Sequence, residues 1–437
     1  MSWAHAVSQD LVHWKHLPLA IPEDEKNMIF SGSCVTDINN TSGFATKRGQ
    51  VPFVAIYTAH IIPDKTKPDD YFQNQLIAYS LDNGRTWKKY VGNPVLDLHK
   101  KDFRDPFVFW HEQSKKWVMC VVLPHEHIVQ FYGSSDLKKW SHLSDFGPAG
   151  DTTDIWECPS MMQVPVQGQP GKSKWVLFNS QQTAMQYFVG EFDGISFHNE
   201  NPGHSILRPD YGPDYYAAVV YNGIPPGHSP ILLGWANNWT YAQSIPTSPW
   251  RSAMSLPREL SLKKTDSCFI LLQQPVAALR KLRREWKEYD SLGAGERRFT
   301  IAKGDVVEME IVLKPPAAGA TKIELASGST HSFIIGYNSP TQKLFIDRSR
   351  SGNTGFHKDF SNWLFATTDL PLQKGQLRLH IFFDKSIVEI FANEGEKVMT
   401  AQVFPYPGDL DIQVSCSSNE PALFEHIKIW TLASAWN

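Results

Sequence analysis

The chain has 437 residues with a formal net charge of −3, and 42% of the residues are hydrophobic and 20% are charged. A chain of this length is too long for one ordinary hydrophobic core, which predicts two domains. The composition is that of a globular protein, and the small net charge argues against a nucleic-acid-binding surface. No apolar run approaches the length of a membrane span, and Met1 leads directly into Ser2 and Trp3, so we expect no signal peptide.

Aromatic residues make up 12% of the chain and include 15 tryptophans. Their flat faces with a polar handle suit stacking against sugar rings, and large all-β cores also favour them. The five cysteines are scattered, odd in number and without a C-x-x-C spacing. The sequence therefore predicts neither a disulfide framework nor a zinc site, and we expect no metal and no cofactor.

Residues 1–262 predict an all-β domain. Short apolar strands alternate with Gly, Pro, Asn and Asp, and no long helical period interrupts them. Examples of the predicted strands are residues 51–57, 75–80, 116–122 and 174–178.

A weak repeat organises this region. A strand ends in small polar residues, an Asp-led turn follows, and an aromatic residue opens the next strand, as in a hairpin. The aromatic residues are Trp14, Trp87, Trp140 and Phe197, at spacings of 73, 53 and 57 residues. A repeat of this length is typical of four-stranded propeller blades. Because a propeller gathers its loops around a central channel, residues from different blades are expected to meet there.

Residues 263–289 change in character, and the basic segment 275–286 predicts a short helix, so we interpret this region as a linker. Residues 290–437 alternate apolar and polar positions over short strands, for example at 306–313, 377–383 and 386–391. This alternation predicts a β-sandwich with one buried and one wet face on each sheet. The predicted organisation is a propeller catalytic domain at 1–262, a linker at 263–289 and a C-terminal sandwich at 290–437.

Two carboxylate segments carry the predicted chemistry. Glu157 lies between a tryptophan and Cys158, where partial burial favours the protonated form that a general acid needs. Arg104 and Asp105 open an apolar run that predicts a buried strand, and Pro106 limits ladder pairing there. Two carboxylates brought together across a polar cleft are the equipment of glycoside hydrolysis. The alternative for Arg104 and Asp105 is a surface ion pair of little energetic consequence.

These segments together resemble glycoside hydrolase family 32, the β-fructosidases that include invertase, exo-inulinase and levanase. The resemblance covers nearly the whole chain, and the order and spacing of the motifs make it specific. It implies a five-bladed propeller that carries the site, with its first blade incomplete here, and a C-terminal β-sandwich. The matching segments are 3–14, 30–33 (Phe-Ser-Gly-Ser), 103–106 (Phe-Arg-Asp-Pro), 156–159 (Trp-Glu-Cys-Pro), 214–217, 234–239, 248–260 and 384–393.

The resemblance also implies roles for individual residues. Glu157 would be the acid/base, and Asp105, oriented by Arg104, would hold the fructose hydroxyls and stabilise the transition state. The implied partners are fructose-containing saccharides such as sucrose, inulin and levan, and members of the family are usually secreted or periplasmic. The implied substrate-binding residues are Phe30, Ser31, Arg104, Cys158, Asp214 and Trp235.

One departure from the family pattern matters most. The family's nucleophile is the Asp of a W-[ML]-N-D-P-N-G segment that lies upstream of the first-blade signature, and no such segment occurs in these 437 residues. Without the nucleophile, covalent catalysis has no attacking atom, and we expect weak hydrolysis of fructosides or none. Replacement by another carboxylate, such as Asp24 or Asp37, is disfavoured because nucleophile geometry has little tolerance.

Other interpretations stay open. The absent nucleophile suits a non-catalytic fructan-binding protein or a truncated fragment of a fructosidase. Segment 80–87 also matches the Asp-box of sialidases, but no matching arginine set is present for such a site, so we interpret it as turn architecture. Metal binding at His125 and His127 lacks an evident third ligand.

Overall fold

The computed structural model describes residues 1–201, 206–225 and 227–436. Within these ranges β-strands dominate, and the helices are short 3₁₀ helices at Ala242–Ser244, Ala277–Leu282 and Lys358–Trp363. None of the described helices has the length and apolarity to cross a membrane. The prediction of an all-β chain is confirmed.

The chain divides into two compact units. The first comprises Met1–Leu207, Ala217–Leu232 and Ser261–Phe269, and the second comprises Arg208–Tyr216, Leu233–Leu260 and Ile270–Asn437.

The first unit contains successive antiparallel sheets in which neighbours in sequence are neighbours in the sheet, except that β7 pairs with β5. This meander is the pattern of propeller blades. The first sheet pairs β1 (Trp3–Ser8) with β2 (Trp14–Ile21), and the second contains β3 (Asn27–Thr36), β4 (Phe53–Ile61), β5 (Phe72–Ser80), β6 (Lys88–Lys89) and β7 (Leu96–Lys100). The third contains β8 (Arg104–His111), β9 (Lys116–Leu123), β10 (Ile128–Ser134) and β11 (Ser141–Phe146), and the fourth contains β12 (Trp156–Pro165), β13 (Ser173–Gln181), β14 (Ala184–Phe192) and β15 (Phe197–Asn199).

The predicted Asp-led turns join strands within these sheets. Between β5 and β6, the Asp82 carboxylate accepts hydrogen bonds from the Thr86 backbone N–H at 2.9 Å and from its hydroxyl at 2.7 Å. The Trp87 indole N–H donates to the carbonyl of Gly84 at 2.9 Å, and Gly84 has a φ of 80°. The turn between β10 and β11 has the same design, with Trp140 donating to the carbonyl of Leu137 at 3.1 Å. The repeat is therefore turn architecture, as predicted.

The boundary between the two units falls within the next strands, β16 (Tyr216–Val220), β17 (Ile231–Trp235), β18 (Arg258–Lys264) and β19 (Phe269–Pro275). The predicted linker at 263–289 thus contains β19, the 3₁₀ helix Ala277–Leu282 and the start of the next strand. The exact domain limits and the number of five blades stay predictions.

Two six-stranded antiparallel sheets form the C-terminal sandwich in the second unit. Their strands are β20 (Arg283–Ala294), β21 (Phe299–Lys303), β22 (Val306–Lys314), β23 (Ala320–Ser327), β24 (Ser332–Asn338), β25 (Lys343–Arg350), β26 (Phe365–Asp369), β27 (Leu377–Asp384), β28 (Ile387–Ala392), β29 (Lys397–Gln402), β30 (Asp411–Cys416) and β31 (Ala422–Leu432). One sheet has the order β20-β31-β22-β27-β28-β29, and the other has the order β21-β30-β23-β24-β25-β26.

The alternation of β22 and β27 sets the core of this sandwich. Met309 and Ile311 of β22 and Ile381 of β27 point into one hydrophobic cluster with residues of the facing sheet, as the two-residue period of a strand requires. The opposite face differs from the prediction of a wet surface, because Glu308 is 1% exposed and Phe382 is 5% exposed.

Candidate active site

The first strands of three sheets in the first unit, β3, β8 and β12, each carry a β-bulge near the start. The pairing register shifts between Ile29 and Gly32 in β3, between Arg104 and Phe107 in β8, and between Glu157 and Ser160 in β12. The register also shifts in the first sheet, but there the extra residues lie in β2, between Leu17 and Ile21. A bulge adds a residue to one strand and re-aims the side chains beside it. These three bulges therefore direct side chains of three sheets away from the regular strand alternation.

Residues beside these bulges border one cavity of about 200 Å³, together with residues of two further strands. Its lining includes Trp3 of β1, Ser31 of β3, Asp105 of β8, Cys158 of β12 and Ala217 of β16. This volume suits a single small sugar ring. The convergence of different sheets on one hollow is the geometry that the sequence predicts for Asp105 and the Glu157 segment.

Three backbone conformations at the cavity are unusual. Asp105 has a φ of 64°, Cys158 a φ of 48° and Ala217 a φ of 49°, a region that non-glycine residues rarely adopt and that clusters at functional sites. Gly32 meets a different constraint, since a Cβ atom there would lie 2.0 Å from the carbonyl oxygen of Ile56. Only glycine allows the bulge of β3 to lie against β4.

Asp105 is held from both sides. Its backbone N–H donates to Thr58 Oγ1 at 2.9 Å, and the Thr58 hydroxyl donates to Gln75 Oε1 at 2.8 Å. Its carboxylate Oδ2 accepts from the Cys158 backbone N–H at 2.9 Å, with the Cys158 thiol at 3.7 Å. The side chain is 6% exposed and borders the cavity. Asp105 is thus fixed before any ligand arrives.

The guanidinium of Arg104 joins the two predicted carboxylates. Its Nη2 donates to Glu157 Oε1 at 2.9 Å and its Nε to the same oxygen at 3.3 Å, while Nε lies 3.9 Å from Asp105 Oδ2. Burial acts to lower the pKa of Arg104, but the carboxylates of Asp105 and Glu157 raise it. Arg104 therefore stays charged and orients both acids.

Burial raises the pKa of Asp105 to about 6, against the opposing effect of Arg104, and the neighbouring Glu157 adds to the rise. Burial also raises the pKa of the Cys158 thiol, helped by the two carboxylates. Cys158 is consequently a neutral donor beside Asp105, and Asp105 changes charge in the range between mildly acidic and neutral pH.

Asp102 is a site residue that the sequence reasoning missed. Its Oδ1 accepts from Arg104 Nη1 at 2.7 Å and from the Tyr71 hydroxyl at 3.0 Å, and its Oδ2 lies 3.2 Å from His125 Nε2. The sequence did contain an indication of this role, because Asp102 lies only two residues before Arg104. His125, considered above for metal binding, instead pairs with this carboxylate.

Phe30 and Ser31 lie together on β3. The Phe30 ring stacks on the imidazole of His60, with ring centroids 4.5 Å apart and planes 5° apart. His60 in turn lies 4.5 Å from the ring of Tyr71. The rings of Phe30, His60 and Tyr71 thus contact one another in turn, and the Tyr71 hydroxyl donates to Asp102. Ser31 lines the cavity itself.

Comparison with known proteins accounts for this arrangement. A model of the "Glycosyl hydrolases family 32 N-terminal domain" matches residues 1–275, and a model of "Glycosyl hydrolases family 32 C terminal" matches residues 276–431. The chain belongs to glycosyl hydrolase family 32. The family 32 assignment agrees with the resemblance drawn from the motifs.

Several family 32 proteins are similar along most of this chain. A levanase of Bacillus subtilis is 44% identical over 93% of the chain, which spans 60% of that levanase, and an extracellular exo-inulinase of Aspergillus awamori is 35% identical over the whole chain and 88% of its own length. The crystal structure of exo-inulinase from Aspergillus awamori superposes with a TM-score of 0.90 at 34% identity, covering 100% of this chain and 90% of that one. A β-fructofuranosidase of Schwanniomyces occidentalis complexed with fructosyl-erythritol gives a TM-score of 0.88 at 32% identity, with coverages of 99% and 88%.

Two of the predicted substrate-binding residues of this family 32 chain belong to the second unit. Asp214 is fully buried, and its carboxylate accepts from Arg348 at 2.6 Å, from the Tyr241 hydroxyl and from the backbone N–H of Gln402 at 2.7 Å. Asp214 is thus a buried ion-pair residue in this structure, and its substrate contact stays a prediction. The Trp235 ring is partly exposed and lies 4.9 Å from Trp239, and its substrate contact stays a prediction.

The two carboxylates considered as replacement nucleophiles have other partners. Asp37 is fully buried and accepts from the backbone N–H groups and hydroxyls of Thr41 and Ser42 at 2.7–3.0 Å. Asp24 accepts from Lys89 Nζ at 2.6 Å and from backbone N–H groups of its own turn. Both are engaged in holding loops, and neither borders the cavity.

Proposed function

We propose that this family 32 chain is a β-fructosidase-type glycoside hydrolase that recognises terminal β-D-fructofuranosyl units of sucrose, inulin or levan. The similar proteins include a levanase, an exo-inulinase and an invertase. The observation that carries the proposal is the guanidinium of Arg104, which bridges Glu157 and Asp105 beside a cavity of about 200 Å³.

Glu157 is proposed as the acid/base of a retaining mechanism. It would donate a proton to the leaving oxygen as the bond from that oxygen to the anomeric carbon breaks and the Asp carboxylate of a W-[ML]-N-D-P-N-G segment, which does not occur in these 437 residues, bonds to that carbon. In the second half, Glu157 would take a proton from water, whose oxygen replaces the nucleophile. Its side chain is 20% exposed, so both the saccharide and water can reach it.

Asp105 is proposed as the residue that holds the fructose hydroxyls. An ionised carboxylate fixed by Cys158 and Thr58 accepts hydrogen bonds from hydroxyl groups, and these strengthen as positive charge develops on the ring. Because its pKa is raised to about 6, Asp105 accepts best above that pH. Fructoside binding is therefore expected to strengthen from pH 5 to pH 7.

The second candidate function is fructan binding without efficient turnover. It is favoured by the absence of a W-x-N-D-P-N-G segment from these 437 residues. A polypeptide of this sequence is then expected to bind fructo-oligosaccharide and to release fructose slowly.

The test combines binding and hydrolysis on the same preparations. Titration calorimetry with nystose and fructose release from sucrose, inulin and levan are compared for the wild type, D105N, E157Q and E126Q. Glu126 is the matched control, an exposed glutamate paired with Lys100 at 2.7 Å. We expect D105N to weaken binding at least tenfold, E157Q to bind but not hydrolyse, and E126Q to match the wild type.

The outcomes separate the two candidates. Binding with wild-type hydrolysis that E157Q abolishes supports the hydrolase. Binding that D105N weakens, with no measurable hydrolysis, supports the binding protein. A wild type that neither binds nor hydrolyses any of these saccharides refutes both.

A further inference from the structure

A second cavity lies in the second unit, on the face of the sandwich sheet turned away from the core. It measures about 290 Å³ and is enclosed between the outward side chains of β22 and β27 and segment 274–280. Its walls include Glu308, Glu310, His380 and Phe382 from the sheet and Leu279 from the segment. We call this cavity the outer-face pocket. Because segment 274–280 covers this face of the sheet, the face is less exposed to solvent than predicted.

A charged network of fixed geometry forms one wall of the outer-face pocket. Arg283 donates from Nε to Glu308 Oε2 at 2.8 Å, from Nη2 to Glu308 Oε1 at 2.6 Å, and from Nη2 to Glu310 Oε1 at 2.7 Å. His380 Nε2 lies 2.7 Å from Glu308 Oε1, and the guanidinium of Arg283 lies 3.6 Å from the ring centroid of Trp430. Each member is held by at least one other group, so the network is pre-organised.

Stability alone does not account for this network. Burying a charged group costs free energy, and replacing a buried ion pair by well-packed apolar side chains is often neutral or stabilising. Glu308 is 1% exposed, and burial acts to raise its pKa, but hydrogen bonds from Arg283 and His380 lower it below its usual range. A buried, ionised and rigid acid at the wall of a cavity is typical of ligand sites.

The charges argue against a metal ion in the outer-face pocket. Ligand atoms of Glu308, Glu310 and His380 lie within 4.8 Å of one another, which would suit a cation. Nη2 of Arg283, however, already lies 2.6 Å and 2.7 Å from the two carboxylates. A cation would be repelled by this guanidinium and would compete with it for the same oxygens, so the site favours a neutral ligand.

We propose that the outer-face pocket is a non-catalytic binding site for a neutral saccharide, one or two sugar units at a chain end or within a chain. Hydroxyl groups donate and accept hydrogen bonds, and the wall offers both partners: the Glu310 side chain is 42% exposed and the His380 side chain 21% exposed. Phe382 and Leu279 supply an apolar surface for the C–H face of a ring. The volume lies at the lower end of the range for ligand pockets, which limits the occupant to a short saccharide segment.

This site is independent of the candidate active site in its residues. All of the named wall residues belong to the second unit, whereas Asp105 and Glu157 belong to the first. A chain with both sites is therefore expected to show two classes of saccharide binding that respond to different substitutions.

The experiment is a titration of the full chain with nystose and with an inulin oligosaccharide mixture, followed by calorimetry and ligand-detected NMR. The variants are E310Q and H380A in the outer-face pocket, D105N in the first unit, and the control E425Q, a partly exposed acid on the same sheet paired with Lys314. Because Glu310 is partly exposed, E310Q is expected to fold, and urea unfolding of each variant checks this.

We expect two classes of sites in the wild type. E310Q and H380A should each weaken one class at least tenfold and leave the other, D105N should do the reverse, and E425Q should change neither. The proposal is overturned if E310Q and H380A bind as the wild type does, if D105N abolishes all binding, or if binding at this site requires added Ca²⁺. Loss of the D105N-sensitive class alone would count against the proposed function and not against this site.

Discussion

Replacing Asp105 by Asn is expected to stabilise the protein at neutral pH while it weakens fructoside binding. The carboxyl has a pKa of about 6 in the folded protein against its ordinary value of 3.8. Between these two values the folded state binds more protons than the unfolded state, so this residue lowers the free energy of unfolding as the pH rises. A difference of roughly 2 pKa units corresponds to about 3 kcal/mol at 1.36 kcal/mol per unit.

The measurement is urea unfolding of the wild type and D105N at pH 4 and pH 7. The Asn amide oxygen can still accept from the Cys158 N–H, so the fold is preserved. The free energy of unfolding of D105N relative to the wild type should increase by up to about 3 kcal/mol from pH 4 to pH 7. The matched control is D37N, because Asp37 accepts four hydrogen bonds in a tight turn, and its loss should destabilise at both pH values.

A relative stability of D105N that stays constant with pH would refute the reasoning, since it would mean that burial does not hold the Asp105 proton. A relative stability that falls with pH would mean that Arg104 outweighs burial. Either result would also remove the basis for expecting stronger fructoside binding above pH 6.

Three further predictions concern the same framework. D102N should weaken nystose binding about tenfold in calorimetry, because Arg104 Nη1 loses its charged partner at 2.7 Å. The control E126Q should bind nystose as the wild type does. Equal affinities of D102N and the wild type would contradict the orienting role of Asp102. G32A should lower the thermal midpoint by many degrees and abolish binding, because its Cβ would lie 2.0 Å from the Ile56 carbonyl oxygen, whereas G355A, with open space around the added atom, should be nearly neutral. R258M should destabilise by roughly 3–5 kcal/mol in urea unfolding, because the buried guanidinium is 3.0 Å from Asp210 and 2.8 Å from Glu389; a change below about 1 kcal/mol would show that these acids find other partners.

The sequence predicted the strands, the Asp-led turns and the sandwich because each is a local pattern. Turn residues at fixed offsets and a two-residue alternation need only neighbouring positions, and Trp87 with Asp82 illustrates this. The association of Asp105 with the Glu157 segment was predictable because each lies in a recognisable motif and because a propeller brings residues of different blades to its central channel.

The remaining site features depend on contacts that no local pattern encodes. Asp102 contacts Arg104 through a side chain two positions away, but its other partners, Tyr71 and His125, are 31 and 23 residues distant. The burial of Asp214 depends on Arg348, which is 134 residues away. The dry outer face of the sandwich likewise depends on segment 274–280, which covers residues that alternate as if exposed.

The recurring bulges have a consequence for how this protein can change. Side chains of a strand face opposite sides in turn, so deleting the extra residue of one bulge would invert every side chain that follows in that strand. Substitution of a side chain that faces the hollow, such as Ser31, by contrast leaves the ladder intact and alters only what the ligand meets, whereas Gly32 tolerates no side chain. Evolution or a designer can therefore revise ligand preference one sheet at a time by exchange of residues, but any change of length at these points would be expected to disrupt folding of the sheet concerned.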